Sequence, residues 1–517
     1  MEKMFIKCNV CKIWLVAIIL IFQFTTIYAY DFRVFNADEK AIFYNKGNDG
    51  RSAIVTYGSS PGTYNGMINI PATVNYEGIN YTVISIGESA FWTCSNLSSV
   101  SIPNTVKRIE NDAFKDCSSL VSISIPSSVI YISNSAFLTV NGYIPWFNQL
   151  YNNAPDGMFY INSVLYKYKG SMPNNTVITL KEGTSSISGQ AFYNCTGLTG
   201  INIPQSVAEI GGAAFYNCQN LAGITLPTGI TSIENATFYN CNALKTIVLP
   251  ENVISIGLSA FYNCYGLTSI IMGHKVTTIL DNAFESCSRL TSITIPESVT
   301  TMRGSVFYGC SSLTSIVIPD NVTSIGTNTF VKCTSLKSVT IGKSVTSIGG
   351  EAFFNCTSLK SIIIPASVTN IAEGAFAYCY YLTGVYIESE TPPVLDGNPF
   401  NASSSFSVSK DTLYVPSANA KARYEASNWN DFFSVITEKK NTTGINSVSY
   451  KTTVSIIKGI LDVDSPLSET ISVYSVNGSL LFEVEKKIGK VSFNIPIIQG
   501  IIIVTGSSGW TRKIITG

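Results

Sequence analysis

The chain has 517 residues, enough for about three units of ordinary domain size. Its 33 basic and 33 acidic residues make up 13% of the chain and cancel to a formal net charge of zero, which disfavours a surface that binds nucleic acid by neutralising phosphates. A single histidine, His274, removes most of the usual general-base and imidazole-ligand chemistry and excludes multi-histidine zinc sites.

At the start of the chain, Lys3, Lys7 and Lys12 lead into an apolar run from Ile13 to Phe24, followed by Thr25, Thr26, Ile27, Tyr28 and Ala29. This is the layout of a secretory signal peptide over 1–29, with cleavage after Ala29. The run is shorter than the roughly 20 residues a spanning helix needs. An exported mature chain with no membrane span is therefore expected, with a membrane anchor as the alternative. Cys8 and Cys11 precede the run, whereas a lipoprotein cysteine would follow it. Residues 30–82 alternate apolar and polar positions around glycine-rich turns, and Asn75 to Tyr81 has the pattern of a hairpin. A small β cap is expected there, because the open end of a repeat array would expose its core.

From residue 83 to 388 one ruler governs the sequence. Phe91, Phe114 and Phe137 are 23 apart, as are Phe192, Phe215, Phe238, Phe261, Phe284, Phe307, Phe330, Phe353 and Phe376. The break between Phe137 and Phe192 holds an insertion at about 139–170, rich in Tyr, Asn and Gly. Cysteine keeps the same register from Cys94 and Cys117 through Cys195 to Cys379. Eleven cysteines remain after the signal, an odd number, so they cannot all pair within one chain. Neighbouring rungs, roughly 4.8 Å apart, fall within disulfide range; stacked buried free thiols are the preferred reading.

One unit reads Leu198-x-x-Ile201-x-Ile203-Pro204-x-Ser206-Val207-x-x-Ile210-Gly211-x-x-Ala214-Phe215-x-x-Cys218. The Leu-x-x-Ile-x-Ile core is the strand pattern of a leucine-rich repeat. Pro103, Pro126, Pro204, Pro227, Pro250, Pro296, Pro319 and Pro365 end the strand and turn the chain, with Gly273 and Gly342 as substitutes. A small polar residue follows two positions later, as at Ser128, Ser206, Asn252, Ser298, Asn321, Ser344 and Ser367, and is placed to hydrogen-bond turn backbone that has no strand partner.

These residues resemble the BspA-like, or Treponema-type, leucine-rich repeats of bacterial surface proteins, whose pattern is Leu-x-x-Leu-x-Leu-Pro, Val/Leu and Ile, then Ala-Phe-x-x-Cys. The resemblance covers roughly Val83 to Tyr386. It implies a mainly β, right-handed solenoid of about twelve 23-residue coils, on a secreted or cell-surface protein that adheres to other macromolecules. Residues 389–440, with Thr391-Pro392-Pro393, Leu413-Tyr414-Val415-Pro416 and Trp429-x-x-Phe432, resemble the cap that ends such arrays in Bacteroidetes proteins. The short strands of 441–517, among them Ile471 to Gly478 and Gln499 to Val504, resemble a type IX secretion sorting domain and imply a small C-terminal β-sandwich. They depart from that family at Ile502, where it carries Tyr, and at the Thr516-Gly517 terminus.

No catalytic, cofactor or metal motif is present, and the chain is not expected to be an enzyme. Binding candidates lie in two rows. On the strand face the outward positions run Asn202, Thr225, Val248, Ile271, Thr294, Val317, Thr340, Ile363 and Tyr386; β-branched residues there also simply suit a sheet. After the repeat phenylalanine come Tyr193, Tyr216, Tyr239, Tyr262, Glu285, Tyr308, Val331 and Phe354. Those tyrosines either form a binding surface or pack between coils, and Tyr265, Tyr378, Tyr380 and Tyr381 add aromatics toward the end of the array. The leading expectation is an adhesin-like protein that binds host extracellular protein or a neighbouring cell. A glycan-binding role for the tyrosine row is the alternative, and a structural spacer the third.

Overall fold

The structure, a computed structural model, describes residues 30–400 and 410–439 and, beyond them, the backbone of strands between Thr453 and Thr516. The expected signal peptide and the start of the linker at 441 lie outside the described residues. The chain divides into two compact units, residues 1–154 and 155–517.

The first unit opens with antiparallel strands Phe32–Phe35, Ala41–Lys46 and Ser52–Thr56. The expected hairpin is present: Asn75 faces Asn80 and Tyr76 faces Ile79. Its turn residues Glu77 and Gly78 both have positive φ, 51° and 79°, as a tight two-residue turn requires. The segment 30–82 is more than a cap. Ser52–Thr56 pairs in parallel with Ile79–Ile86, and Gly66–Asn69 with Leu97–Ser101, so a coil precedes the first 23-residue copy. In that coil Tyr64 takes the place of the repeat phenylalanine and packs on Phe91 at 4.6 Å. Its hydroxyl accepts from the Phe43 N–H (3.0 Å) and donates to the Thr56 carbonyl (2.6 Å), bonds a phenylalanine could not make. The unit ends on helix α1, Pro145–Asn153, with proline in its first turn, where a missing N–H costs nothing. Phe147 of α1 is buried against Phe137 at 5.5 Å.

The second unit begins with an antiparallel hairpin, Gly157–Ile161 and Val164–Lys169. Val164 and Leu165 then pair in parallel with Ser186–Ile187, which pairs with Glu209–Ile210. A hairpin at this end closes the edge of a parallel ladder that would otherwise be open.

Each coil has three sides, and a shift of 23 residues sets like over like on all of them. On the first, Thr246, Ile247 and Val248 lie opposite Ser269, Ile270 and Ile271. On the second, Ser255 and Ile256 lie opposite Thr278 and Ile279. Between the two, the N–H of Val207 closes a turn on the Pro204 carbonyl (3.1 Å), and the same bond recurs at Val253 and Pro250 and at Val322 and Pro319. The small polar row behaves as its position predicts: Ser206 Oγ donates to the Thr184 carbonyl of the preceding coil (2.8 Å), and Ser298 and Ser367 to those of Val276 and Val345. Gly342 is more than a stand-in for proline, since a Cβ there would lie 2.2 Å from the Pro319 carbonyl oxygen.

The third side carries the phenylalanines and has no β-strand. Residues of positive φ stand four apart in the coil, as at Gln190 and Asn194 (57° and 60°) and at Ala213 and Asn217 (55° and 59°). This turns every second N–H toward the next coil. Gln190, Phe192 and Asn194 donate to the carbonyls of Gly212, Ala214 and Tyr216 (3.0, 2.8 and 2.8 Å). From Phe192 to Phe376 successive rings stack at 5.1–5.6 Å with planes within 1–12°. Tyr64, Tyr168 and Phe400 continue such columns and, added to the twelve phenylalanines, bring the described turns of the two units to about fifteen where the ruler shows about twelve.

The eleven described cysteines are buried thiols outside any disulfide. Cys218, Cys264 and Cys310 donate S–H to the carbonyls of Phe192, Phe238 and Phe284 in the preceding coil (3.2, 3.1 and 3.2 Å). The thiol is thus a small apolar filler that also satisfies backbone.

Past Ile387 the pattern is overwritten without being lost. Val394–Leu395 extends the second side, while Lys410–Val415 and Phe433–Glu438 extend the first. Helix α2, Ala418–Glu425, is capped by Ser417 Oγ, which accepts from the Ala420 N–H (3.1 Å). The buried Trp429 donates its indole N–H to the Pro393 carbonyl (2.9 Å). From Thr453 on, strands form a three-stranded and a four-stranded antiparallel sheet. The side chains that would make these sheets a sandwich lie outside the described residues.

Candidate functional site

The two candidate rows belong to different segments of the coil and stay separate. On the strand face, parallel pairing in register places Val248 over Ile271, Val317 over Thr340, and Ile363 over Tyr386. Val317 and Ile363 are 50% and 49% exposed, while Val248, Ile271 and Tyr386 are half-buried. Beside them run Gly223, Thr246, Ser269, Ser315, Ser338 and Ser361, so the face is flat and set with small groups. Tyr386 stacks on Tyr414 at 4.3 Å with planes 6° apart. Burial and the nearby Tyr414 raise the Tyr386 hydroxyl above the usual phenol range. Tyr414 was not a candidate from sequence, because it lies 28 residues after Tyr386 and only the observed pairing brings them together.

The tyrosine row follows the phenylalanine column on the third side. Tyr193, Tyr216, Tyr239 and Tyr262 stack at 4.8, 4.4 and 4.5 Å, with planes 12°, 10° and 8° apart. Tyr193, at the end, is 43% exposed; the other three are half-buried. Burial, reinforced by the adjacent Tyr216 and Tyr262 phenols, pushes the Tyr239 hydroxyl up to about 12. One position further, an amide ladder runs alongside: Asn217 Nδ2 donates to Asn194 Oδ1 (2.8 Å) and Asn240 Nδ2 to Asn217 Oδ1 (2.6 Å). The signal for it is plain in retrospect, since Phe-Tyr-Asn-Cys occurs in four consecutive coils from 192 to 264. Asparagine serves there because its backbone has φ of 58–60°, a conformation that asparagine tolerates better than most residues.

The row stops at Tyr262. Glu285 takes the next place, and Val331 further on is buried. Tyr308 therefore stands apart, with Lys332 Nζ 5.5 Å from its ring centre. Phe354 tilts against Tyr378 at 4.7 Å. His274 lies on the exposed turn beside Glu251, 3.8 Å away, apart from both rows. Among the described residues no group of three or more His, Cys, Asp or Glu side chains is arranged to hold a metal ion, and no helix is long and apolar enough to cross a membrane.

A parallel β-solenoid with a Leu-x-x-Ile-x-Ile strand and a stacked Ala-Phe-x-x-Cys turn is a leucine-rich-repeat protein. The chain belongs to the BspA type leucine rich repeat family, which matches six copies over residues 73–169, 159–290 and 255–383. Similar solved structures include a leucine-rich repeat protein from Bacteroides ovatus, 28% identical, covering 77% of this chain and 97% of that one with a TM-score of 0.43. A leucine rich cell surface protein from Faecalibacterium prausnitzii is 26% identical, covering 72% and 96% with a TM-score of 0.31. The pneumococcal vaccine antigen PcpA is 15% identical, covering 80% and 99% with a TM-score of 0.30. No match was found among curated proteins.

Proposed function

We propose that the chain is a secreted or cell-surface adhesin-like protein that binds an extracellular protein or a neighbouring cell through the strand face of its second unit. The observation that carries this reading is the row of outward positions from Asn202 to Tyr386, which holds no charge and leaves Val317 and Ile363 half exposed on a flat sheet. Apolar side chains in such a row, with the exposed Lys337 and Lys360 at its border, are the kind that bury on association. The test is saturable binding of the purified chain to immobilised extracellular-matrix proteins and mucin, with a glycan array alongside. Replacing both residues (Val317→Ser, Ile363→Ser) is expected to weaken protein binding about tenfold or more. Equal binding by the double variant would reject the strand face.

The glycan alternative rested on tyrosine faces that could stack on sugar rings. In the row the inner faces lie against one another, which leaves a sugar only the two end faces, those of Tyr193 and Tyr262. A spacer role predicts no ligand on any panel. Export is proposed to use the segment 1–29 together with the C-terminal strands; a chain lacking 445–517 is expected to stay inside the cell, and unchanged secretion would remove that part of the proposal.

A further inference from the structure

Stacking takes the ring faces of Tyr193, Tyr216, Tyr239 and Tyr262 out of reach, and it also creates a surface. Planes within 8–12° of one another from coil to coil turn the ring edges sideways, so the row presents a straight, ridged floor with one edge every 4.4–4.8 Å. An aromatic ring is electropositive at its edge and electronegative on its face, and edge-to-face contacts are favoured. The C–H bonds of a pyranose seek ring faces, and along the length of this row the faces lie against one another. A flat π-system laid along the row would set its own electronegative face over several electropositive edges at once. The neighbouring amides of Asn194, Asn217 and Asn240 bond to one another, so this border of the floor is polar yet already hydrogen-bonded.

We propose that the edge of this tyrosine row is a binding track for an elongated planar aromatic molecule lying along the solenoid axis. The site is independent of the strand face and of any protein bound there. Its length is set by sequence: Glu285 ends the row, and with a tyrosine in its place the row would run unbroken from Tyr193 to Tyr308.

The probe is an uncharged aryl-benzothiazole dye, thioflavin T without its ring N-methyl group, titrated into the full chain with fluorescence as readout. Saturable enhancement is expected. Tyr216→Ser with Tyr239→Ser is expected to weaken it about tenfold, whereas Tyr216→Phe with Tyr239→Phe keeps the edges and is expected to leave it within about twofold. Glu285→Tyr, which gives up the hydrogen bond that Glu285 accepts from Asn282, is expected to tighten binding about fivefold by lengthening the floor. The strand-face pair Val317→Ser and Ile363→Ser is expected to have no effect. No saturable response from the intact chain overturns the proposal. So does a phenylalanine variant as weak as the serine variant, unchanged affinity in the serine variant, or unchanged affinity in Glu285→Tyr.

Discussion

Between about pH 9 and 11 the second unit is expected to lose its folded structure steeply, with the cysteine column as the cause. Burial raises the thiols of Cys195 and Cys264 to about 11 and about 12 from an ordinary value of 9.0, and those of Cys218, Cys241, Cys287, Cys310, Cys333 and Cys356 are raised as well. A thiol whose pKa is higher in the folded chain favours folding fully below pH 9. Above that, the unfolded chain gives up protons that the folded chain must keep. Stability therefore falls by about 1.4 kcal/mol per pH unit for each such thiol until its folded pKa is reached. Eight thiols in consecutive coils act on one array, so even a partly cooperative block loses several times that figure per unit. Tyrosines raised by burial, Tyr424 among them, join from about pH 10. Far-ultraviolet circular dichroism against pH reads the transition. A variant with Cys241→Ala, Cys264→Ala and Cys287→Ala is expected to show a shallower fall even if its starting stability is lower. Below pH 8.5 the same burial is expected to slow alkylation of the native thiols at least about a hundredfold relative to the denatured chain. Stability that stays flat from pH 8 to 10.5 would show that the thiols ionise as easily folded as unfolded.

The parts of this architecture legible in the sequence are those that repeat identically. Phenylalanine, cysteine, proline and the small polar residue recur at one spacing because each must lie over its own copy in the next coil, and the structure uses each as its position implies. Legibility fails where a rung keeps its place but changes its chemistry or spacing. Tyr64 keeps the stack while gaining two backbone hydrogen bonds. Phe400 lies 24 residues after Phe376 yet stacks on it at 5.5 Å, in a coil that accommodates Thr391-Pro392-Pro393. Helix α1 has no periodic signal because it is nine residues long and follows a broken ruler. At the candidate site, the spacing of Tyr193 to Tyr262 announced a row, but only the ring planes show that its faces are closed and its edges open. The pair of Tyr386 with Tyr414 could not be foreseen, since the connection between them belongs to the cap and not to the repeat.

Phe261→Ala is expected to divide the second unit into two weakly coupled arrays. Phe261 is fully buried between Phe238 at 5.3 Å and Phe284 at 5.4 Å, and its carbonyl accepts both the Cys264 N–H and the Cys287 S–H (each 3.2 Å). Truncation leaves the backbone bond from residue 261 to the Ala283 carbonyl but removes two ring contacts and opens a cavity in the column. The cost of such a change is about 3–5 kcal/mol. In a compact globule that cost would be shared by the whole domain. In a solenoid each coil touches only its neighbours, so it falls on the two interfaces either side of residue 261. Denaturant unfolding is expected to change from one transition to two, with proteolysis entering between Phe238 and Phe284 before it enters elsewhere. Phe261→Leu, which largely keeps the volume, is expected to cost less than about 1.5 kcal/mol and to preserve a single transition. Phe376→Ala, in the last 23-residue copy before the cap, is expected to cost a similar amount but to fray that end without splitting the array. If Phe261→Ala unfolds in one transition shifted by less than about 1 kcal/mol, the ring column is not what couples the coils, and the strand ladders and hydroxyl-to-carbonyl bonds on the other sides must carry the array.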